Sequence, residues 1–197
     1  MISYIGMNKI TSGTSRPPLQ GSLKLYDEGI PLEFAPTKVL DGISPRRSDQ
    51  SMSARSDVAV EKFLAGYNCA QAVLYSFCDD LGFDKNSALK LACGFGAGMA
   101  RKQEVCGALT GGIIALGLKH GRGEAQDRMP TEATYRKVRE LMSRFESKHG
   151  TCICRTLLEG CDLNTPDGQR SFKENNLLNK TCKGCVKTVV ETVEEIL

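Results

Sequence analysis

Nine cysteines against two histidines and no tryptophan make thiol chemistry the first question raised by this 197-residue sequence. Several of the nine share a local setting. Cys69 follows Asn68, a residue suited to capping a helix, and Gln71 stands three places on, in capping-box position. Cys152 and Cys154 follow a predicted cap at Thr151. Cys182 follows one at Thr181, with Cys185 a turn further along the same face, and Cys106 falls near the start of a predicted helix over 104–120. A helix N-terminus presents unsatisfied N–H groups and a partial positive charge, and both stabilise thiolate over thiol. Thiolate is the form that attacks disulfides and binds metals, so the recurrence favours chemistry. The plain counter-reading is cysteine as a small core residue.

Spacing narrows the chemistry in part. Cys182-Lys183-Gly184-Cys185 is a C-x-x-C pair, as in thiol–disulfide oxidoreductases. No βαβ pattern surrounds it, and Val186 stands where a c-type haem site needs histidine. Cys152-Ile153-Cys154 is a C-x-C. Paired C-x-x-C motifs at zinc-ribbon spacing are absent from the sequence, so a metal would need ligands gathered from distant helices. Cysteine is about 5 % of the chain, below the roughly 8–10 % of secreted disulfide scaffolds. The first 13 residues lack the basic start and apolar core of a signal peptide, so reduced thiols in a cytoplasm are expected.

These thiols need elements to position them, and the expected fold is all-α: a compact bundle of about five to seven helices over 54–197. Helical segments are predicted around Val58 and Phe63, from Asn68 to Gly82, at Leu89 and Ala92, and over 104–120. A long one follows Pro130, with Thr131 as cap and Tyr135, Val138, Leu141, Met142 and Phe145 on one stripe, and it ends at Gly150. The last runs from Thr181 to the end, with Cys182, Cys185, Val186, Val189, Val190, Val193 and Ile196 at three- and four-residue steps. In the 104–120 helix Gly107, Ala108, Gly111, Gly112 and Ala115 leave one flank almost bare, so another backbone can approach and bring Cys106 near other thiols. The glycines of 94–98 lack the Walker ending and the G-x-G-x-x-G spacing, and phosphate binding is not expected there. His120 and His149 fall at helix C-termini, where they suit the dipole. Residues 1–53 hold five of the seven prolines, eight serines and no cysteine, with one short strand-like run at 21–26. They read as an extended or disordered arm that is either a floppy leader or a device for binding a partner or a neighbouring subunit. Met52 reads like a natural domain start. The net charge of +3 argues against a nucleic-acid binder, and no apolar run approaches 18 residues, so no membrane span is expected.

Four motifs in order carry a resemblance: Tyr67-Asn68-Cys69-Ala70-Gln71, Gly94-Phe95-Gly96-Ala97-Gly98-Met99, Val105-Cys106-Gly107-Ala108-Leu109-Thr110-Gly111, and Cys154-Arg155-x-Leu157-Leu158, with Cys182 before the last helix. From about Ala54 to Leu197 the chain resembles the redox-active C_GCAxxG_C_C family of mostly anaerobic bacteria and archaea. The resemblance places the four family cysteines on Cys69, Cys106, Cys154 and Cys182. Some members look like selenoproteins, which implies that a chalcogen is used chemically. A similar domain attached to a cytochrome thought to hold an iron–sulfur centre implies cluster binding as an option. Cys78, Cys93, Cys152, Cys161 and Cys185 are additional to that set. Ala97 and Ala100 stand where glycines are common in the family.

Two functions follow as expectations. In the first, a cytoplasmic redox protein gathers Cys69, Cys106, Cys154 and Cys182, which ligate an iron–sulfur cluster or work as thiol–disulfide pairs. In the thiol version Cys182 or Cys69 attacks and Cys106 or Cys154 resolves. Four thiolates from separate helices suit a cluster more easily than a dithiol, so the sequence leans to metal. In the second, a non-enzymatic helical module with a structural metal or none docks through its arm. The small-residue helix and the apolar final helix suggest a homo-oligomer. The redox partner is not named by the sequence.

Overall fold

A computed structural model of the chain describes residues 54–124 and 127–197. The expected arm over 1–53, with its strand at 21–26, lies outside the described residues. The elements are α1 (Arg55–Leu64), α2 (Cys69–Ser76), the single turn α3 (Cys78–Leu81), α4 (Lys85–Ala92), a 3₁₀ turn (Cys93–Phe95) and a tight turn α5 (Gly96–Met99). Then follow α6 (Gly107–His120), α7 (Met129–His149), the single turn α8 (Cys154–Leu157), α9 (Pro166–Glu174), a π-helical turn (Leu178–Cys182) and α10 (Lys183–Ile196). The described residues form an all-α bundle, as the periodicity predicts. Their one β-type pairing is an isolated antiparallel bridge between Val105 and Ile153.

The core forms where the predicted stripes meet. On α10, Val186, Val189, Val190 and Val193 are fully buried, as are Leu141 and Phe145 on α7 and Leu109 and Leu116 on α6. Only the second half of the α7 stripe is covered, and Tyr135 stays 52 % exposed. The α1 face is Ala59, Val60 and Phe63, while Leu64 turns outward. Arg55 ties the two ends of the chain's helical part: Nε donates to Glu194 at 2.8 Å and Nη1 to the Ser76 carbonyl at 2.9 Å, and the guanidinium pairs with Asp80.

The bare flank of α6 is filled from inside the chain. A Cβ on Gly111 would stand 2.6 Å from the Ala70 carbonyl oxygen, and one on Gly112 would stand 2.7 Å from Val189 and 3.1 Å from Leu141. Both surfaces expected to drive self-association, the small-residue flank and the apolar face of α10, are therefore occupied by this chain's own helices.

Helix starts differ from expectation at α6, α7 and α10. Helix α6 begins at Gly107 rather than at 104, because Glu104 and Cys106 spend their backbone groups sideways: Glu104 N donates to Gly98 O (3.0 Å) and Cys106 N to Cys152 O (2.8 Å). Helix α7 begins at Met129, with Pro130 in its first turn and Thr131 already inside. The last helix does not start at a Thr181 cap; the π-helical turn at Leu178–Cys182 runs straight into α10, so Thr181 and Cys182 are interior.

Residues 97–101 are a run of left-handed backbone: φ is 52° at Ala97, 63° at Gly98, 64° at Met99, 52° at Ala100 and 68° at Arg101. Glycines at 97 and 100 would meet this geometry without penalty, whereas each alanine costs on the order of 1 kcal/mol. Ala100→Gly is therefore expected to be neutral or to stabilise by up to about 1 kcal/mol, read as a raised urea midpoint. On α6, Gly111→Ala should destabilise by about 1–3 kcal/mol by forcing α2 away. Gly117, whose Cβ would meet nothing within 4 Å, should stabilise by about 0.5–1 kcal/mol when changed to alanine. Equal effects of the two glycine variants would mean that the α2–α6 approach is not tight.

Candidate redox site

Each thiol is set in place by a local structure. Cys69 opens α2 behind the predicted capping box: Gln71 N donates to Asn68 Oδ1 at 3.0 Å, and Asn68 N donates to Gln71 Oε1 at 3.0 Å. The same side chains reach outward, Asn68 Nδ2 to the Cys93 carbonyl and Gln71 Nε2 to the Leu89 carbonyl, both at 2.9 Å. Cys106 is the N-cap residue of α6. Cys154 is the first residue of α8, not the third position of a helix capped by Thr151; the Thr151 hydroxyl instead accepts from Ile153 N at 3.1 Å. A short ladder fixes Cys106 to Cys154: Cys154 N donates to Glu104 O (2.7 Å) and Arg155 N to Gln103 O (3.0 Å), beside the Cys106–Cys152 bond. Gln103, 1 % exposed, extends the brace, accepting from Leu163 N at 2.9 Å and donating to Cys161 O at 2.6 Å.

Cys69, Cys106, Cys154 and Cys182 line one cavity of about 490 Å³, and Cys185 lines it with them. The far wall comes from Leu163 and Phe172, in a stretch that the sequence reading left without a role. The glycines of 94–98 serve close packing. A Cβ on Gly96 would stand 2.4 Å from Asn68 Cγ, and one on Gly98 would stand 2.8 Å from Cys154 Cβ. The other cysteines stay off the cavity wall. The thiols of Cys78, Cys152 and Cys161 donate to the carbonyls of Leu74, Met142 and Gly168, and Cys93 is exposed.

The thiols are not equivalent. Cys106 is held below the usual thiol range, because the Cys185 thiol donates to it and, despite burial, the backbone N–H groups of Ala108 and Leu109 at the start of α6 favour its charge. Cys185 is pushed up by that same bond and by burial. Burial pushes Cys69 up to about 12, with the charge of Cys106 adding to it and the N–H groups of Ala97 and Ala70 opposing. Burial first, then the charges of Cys106 and Cys69, push Cys154 up to about 12. Cys182 is also raised, chiefly by burial; inside a continuous helix it has no free N-terminus to favour its charge. Cys69 and Cys182, the thiols expected to ionise most easily, are thus raised, as is Cys154, and Cys106 alone of the four is lowered. The signal for Cys185 was its C-x-x-C spacing, which puts it one turn from Cys182 on the cavity face.

His149 does not simply cap α7. Its ring stacks on Phe145 (centroids 4.5 Å apart), places Nε2 2.9 Å from Thr188 Oγ1 and leaves Nδ1 4.0 Å from Cys185 Sγ. Burial and then Lys148 lower its pKa, so it is neutral near pH 7. His120 Nε2 lies 2.7 Å from the Leu197 carbonyl. Four thiolates would suit an iron–sulfur centre or zinc chemically. Among the described residues, however, no three His, Cys, Asp or Glu side chains converge as a metal-ion site.

In a Cys93→Ala background, iodoacetamide labelling mapped by mass from pH 6 to 10 should mark Cys106 first. A thiol below its pKa loses about tenfold in thiolate per pH unit, so Cys69 and Cys154 should stay largely unlabelled throughout. Cys185→Ala should shift the Cys106 profile to higher pH by removing its donor. Cys69 labelling ahead of Cys106 at pH 7 would contradict the assignment.

The model of the family described as "Putative redox-active protein (C_GCAxxG_C_C)" matches residues 67–196, from the Asn68 cap through all five cavity cysteines to the end of α10. No curated protein and no solved structure matches the chain. With the match covering well over half its length, the chain belongs to the redox-active C_GCAxxG_C_C family.

Proposed function

We propose that this protein carries out thiol–disulfide exchange, with Cys106 as the nucleophile and Cys185 as the resolving thiol. The placement of these two cysteines on one cavity, Cys106 capping α6 and Cys185 in the first turn of α10, is the observation that supports it most. Cys106 as thiolate attacks one sulfur of a disulfide and forms a mixed disulfide, and the other sulfur leaves as thiolate. Cys185 then loses its proton, with neutral His149 Nδ1 beside it as acceptor, and attacks Cys106 Sγ. The products are a Cys106–Cys185 disulfide and a second released thiolate; two electrons have passed from the protein to the substrate. Cys69, Cys154 and Cys182 stay protonated nearby and add no charge to the cavity. All nine cysteines are free, which suits a reducing cytoplasm.

A second reading, an iron–sulfur cluster held by Cys69, Cys106, Cys154 and Cys182, is favoured by the presence of all four in the lining of one cavity. Such a group would supply one-electron transfer when bound. One preparation separates the two. Anaerobically purified protein is assayed for iron and acid-labile sulfide, then oxidised with diamide and its disulfides mapped. Thiol exchange predicts a Cys106–Cys185 disulfide, lost in Cys185→Ser, with less than about 0.1 iron per chain. Stoichiometric iron and sulfide, lost in Cys106→Ser, would establish the cluster instead.

A further inference from the structure

The thiol-lined cavity is larger than a two-cysteine exchange needs, and its wall has a definite charge. At about 490 Å³ it falls within the range of small-molecule sites. Phe63, Leu158, Leu163 and Phe172 make much of its lining apolar. Two cations stand on it, Arg101 and Lys173, and among the described residues no Asp or Glu lines it. Both cations are exposed, and neither makes an ion pair among the described residues, although most other arginines nearby do; Arg155, for example, holds Asp162. Arg101 stands in left-handed backbone (φ 68°), between the turn that packs on Cys154 and the braced Gln103, so its Cα position is tightly determined. A low-dielectric wall under two unmatched positive charges attracts an anion and holds its organic part.

We infer that the cavity binds a low-molecular-weight organic disulfide carrying carboxylate groups, its carboxylates toward Arg101 and Lys173 and its sulfurs toward Cys106. This rests on the thiol-exchange function proposed above and names its substrate class. In the exchange, the Cys106 thiolate forms a bond to one ligand sulfur as the ligand S–S bond breaks. Cys185 then forms the Cys106–Cys185 bond as the mixed disulfide breaks. One small disulfide and two protein thiols become two small thiols and one protein disulfide. Electrons and protons balance without a further reactant.

The test uses reduced full-length chain and three disulfides of similar size: 3,3′-dithiodipropionate (dianion), 2-hydroxyethyl disulfide (neutral) and cystamine (dication). Rates of Cys106–Cys185 formation are divided by the rates of the same reagents with free N-acetylcysteine, which removes their intrinsic reactivity. The normalised rate for the dianion should exceed that for the neutral reagent about tenfold and fall with added salt. Lys173→Gln and Arg101→Gln should each lower the ratio of dianion to neutral rate several-fold. Because Lys173 lies on the exposed face of α9, its variant should keep the parent's urea midpoint and so remain informative if Arg101→Gln fails to fold. Equal normalised rates for dianion and neutral reagent would overturn the anion preference while leaving thiol exchange standing. Failure of all three reagents to oxidise the Cys106–Cys185 pair would overturn the exchange reading itself, and this one with it.

Discussion

The site depends on how closely α2 lies against α6. Gly107 meets Cys69 Sγ and Gly111 meets the backbone of Ala70, so the two helices run side by side in the same sense with only hydrogen atoms on the α6 flank between them. That arrangement puts two helix N-termini together. Cys69 opens one and Cys106 caps the other. Parallel helix ends repel each other weakly through their partial positive charges, and a negative charge between them offsets the repulsion. A thiolate at Cys106 is such a charge. Helix packing and thiol activation are therefore one constraint: a bulkier residue at position 107 would have to displace the sulfur of Cys69 to be accommodated at all.

Electrostatics then limit what five thiols around one cavity can do. In a low-dielectric space each ionised sulfur raises the pKa of the next, which is why Cys154 and Cys182 feel both Cys106 and Cys69. One thiolate is tolerated, and it is the one with a donor thiol and helix N–H groups beside it. Oxidation to a disulfide would discharge even that one. Tetrathiolate ligation would need cationic iron to do what the S–H protons do here. Both chemistries therefore answer to the same need, compensation of buried sulfur charge, and the protein already meets that need for a single thiolate with its own groups.

Much of this was legible in the sequence where the code is local. The Asn68–Gln71 box, the Gly150 stop, the valine stripe of α10 and the bare flank of α6 are all written in spacings of three and four residues. The four ordered motifs brought Cys69, Cys106, Cys154 and Cys182 together as a set, and all four line the cavity. What failed depended on pairing at a distance. The first residues of the helix expected from 104 instead make an isolated bridge with 152–155, set by backbone bonds that no periodicity announces. Thr181 looks like a cap until Leu178 is seen to start the helix first. The acidity of Cys69 differs from expectation because a helix start there argues for thiolate, while the depth of burial that overrides it is a property of the folded whole. Cys185 was visible as the second half of a C-x-x-C, but only the fold shows it lining the same cavity as Cys106.

The strained parts of the backbone lie where these distant pieces are joined. The left-handed run at 97–101, with Gln103 also at positive φ (61°), and the π-helical turn at Leu178–Cys182 both border the cavity. Such conformations persist only when their surroundings over-determine them. Here the surroundings can be named. Glu104 N binds Gly98 O and closes the turn. Gln103 is clamped at both ends of its amide to 161–163, and its carbonyl is taken by Arg155 N. That one buried glutamine thus links the turn carrying Arg101, the helix start carrying Cys154 and the loop leading to α9. Its removal would leave a buried donor and acceptor unmet and would free all three at once. The cavity's shape is consequently set less by the cysteines that face it than by an amide behind its wall, which makes the thiol positions a consequence of the fold and not of any disulfide among the sulfurs.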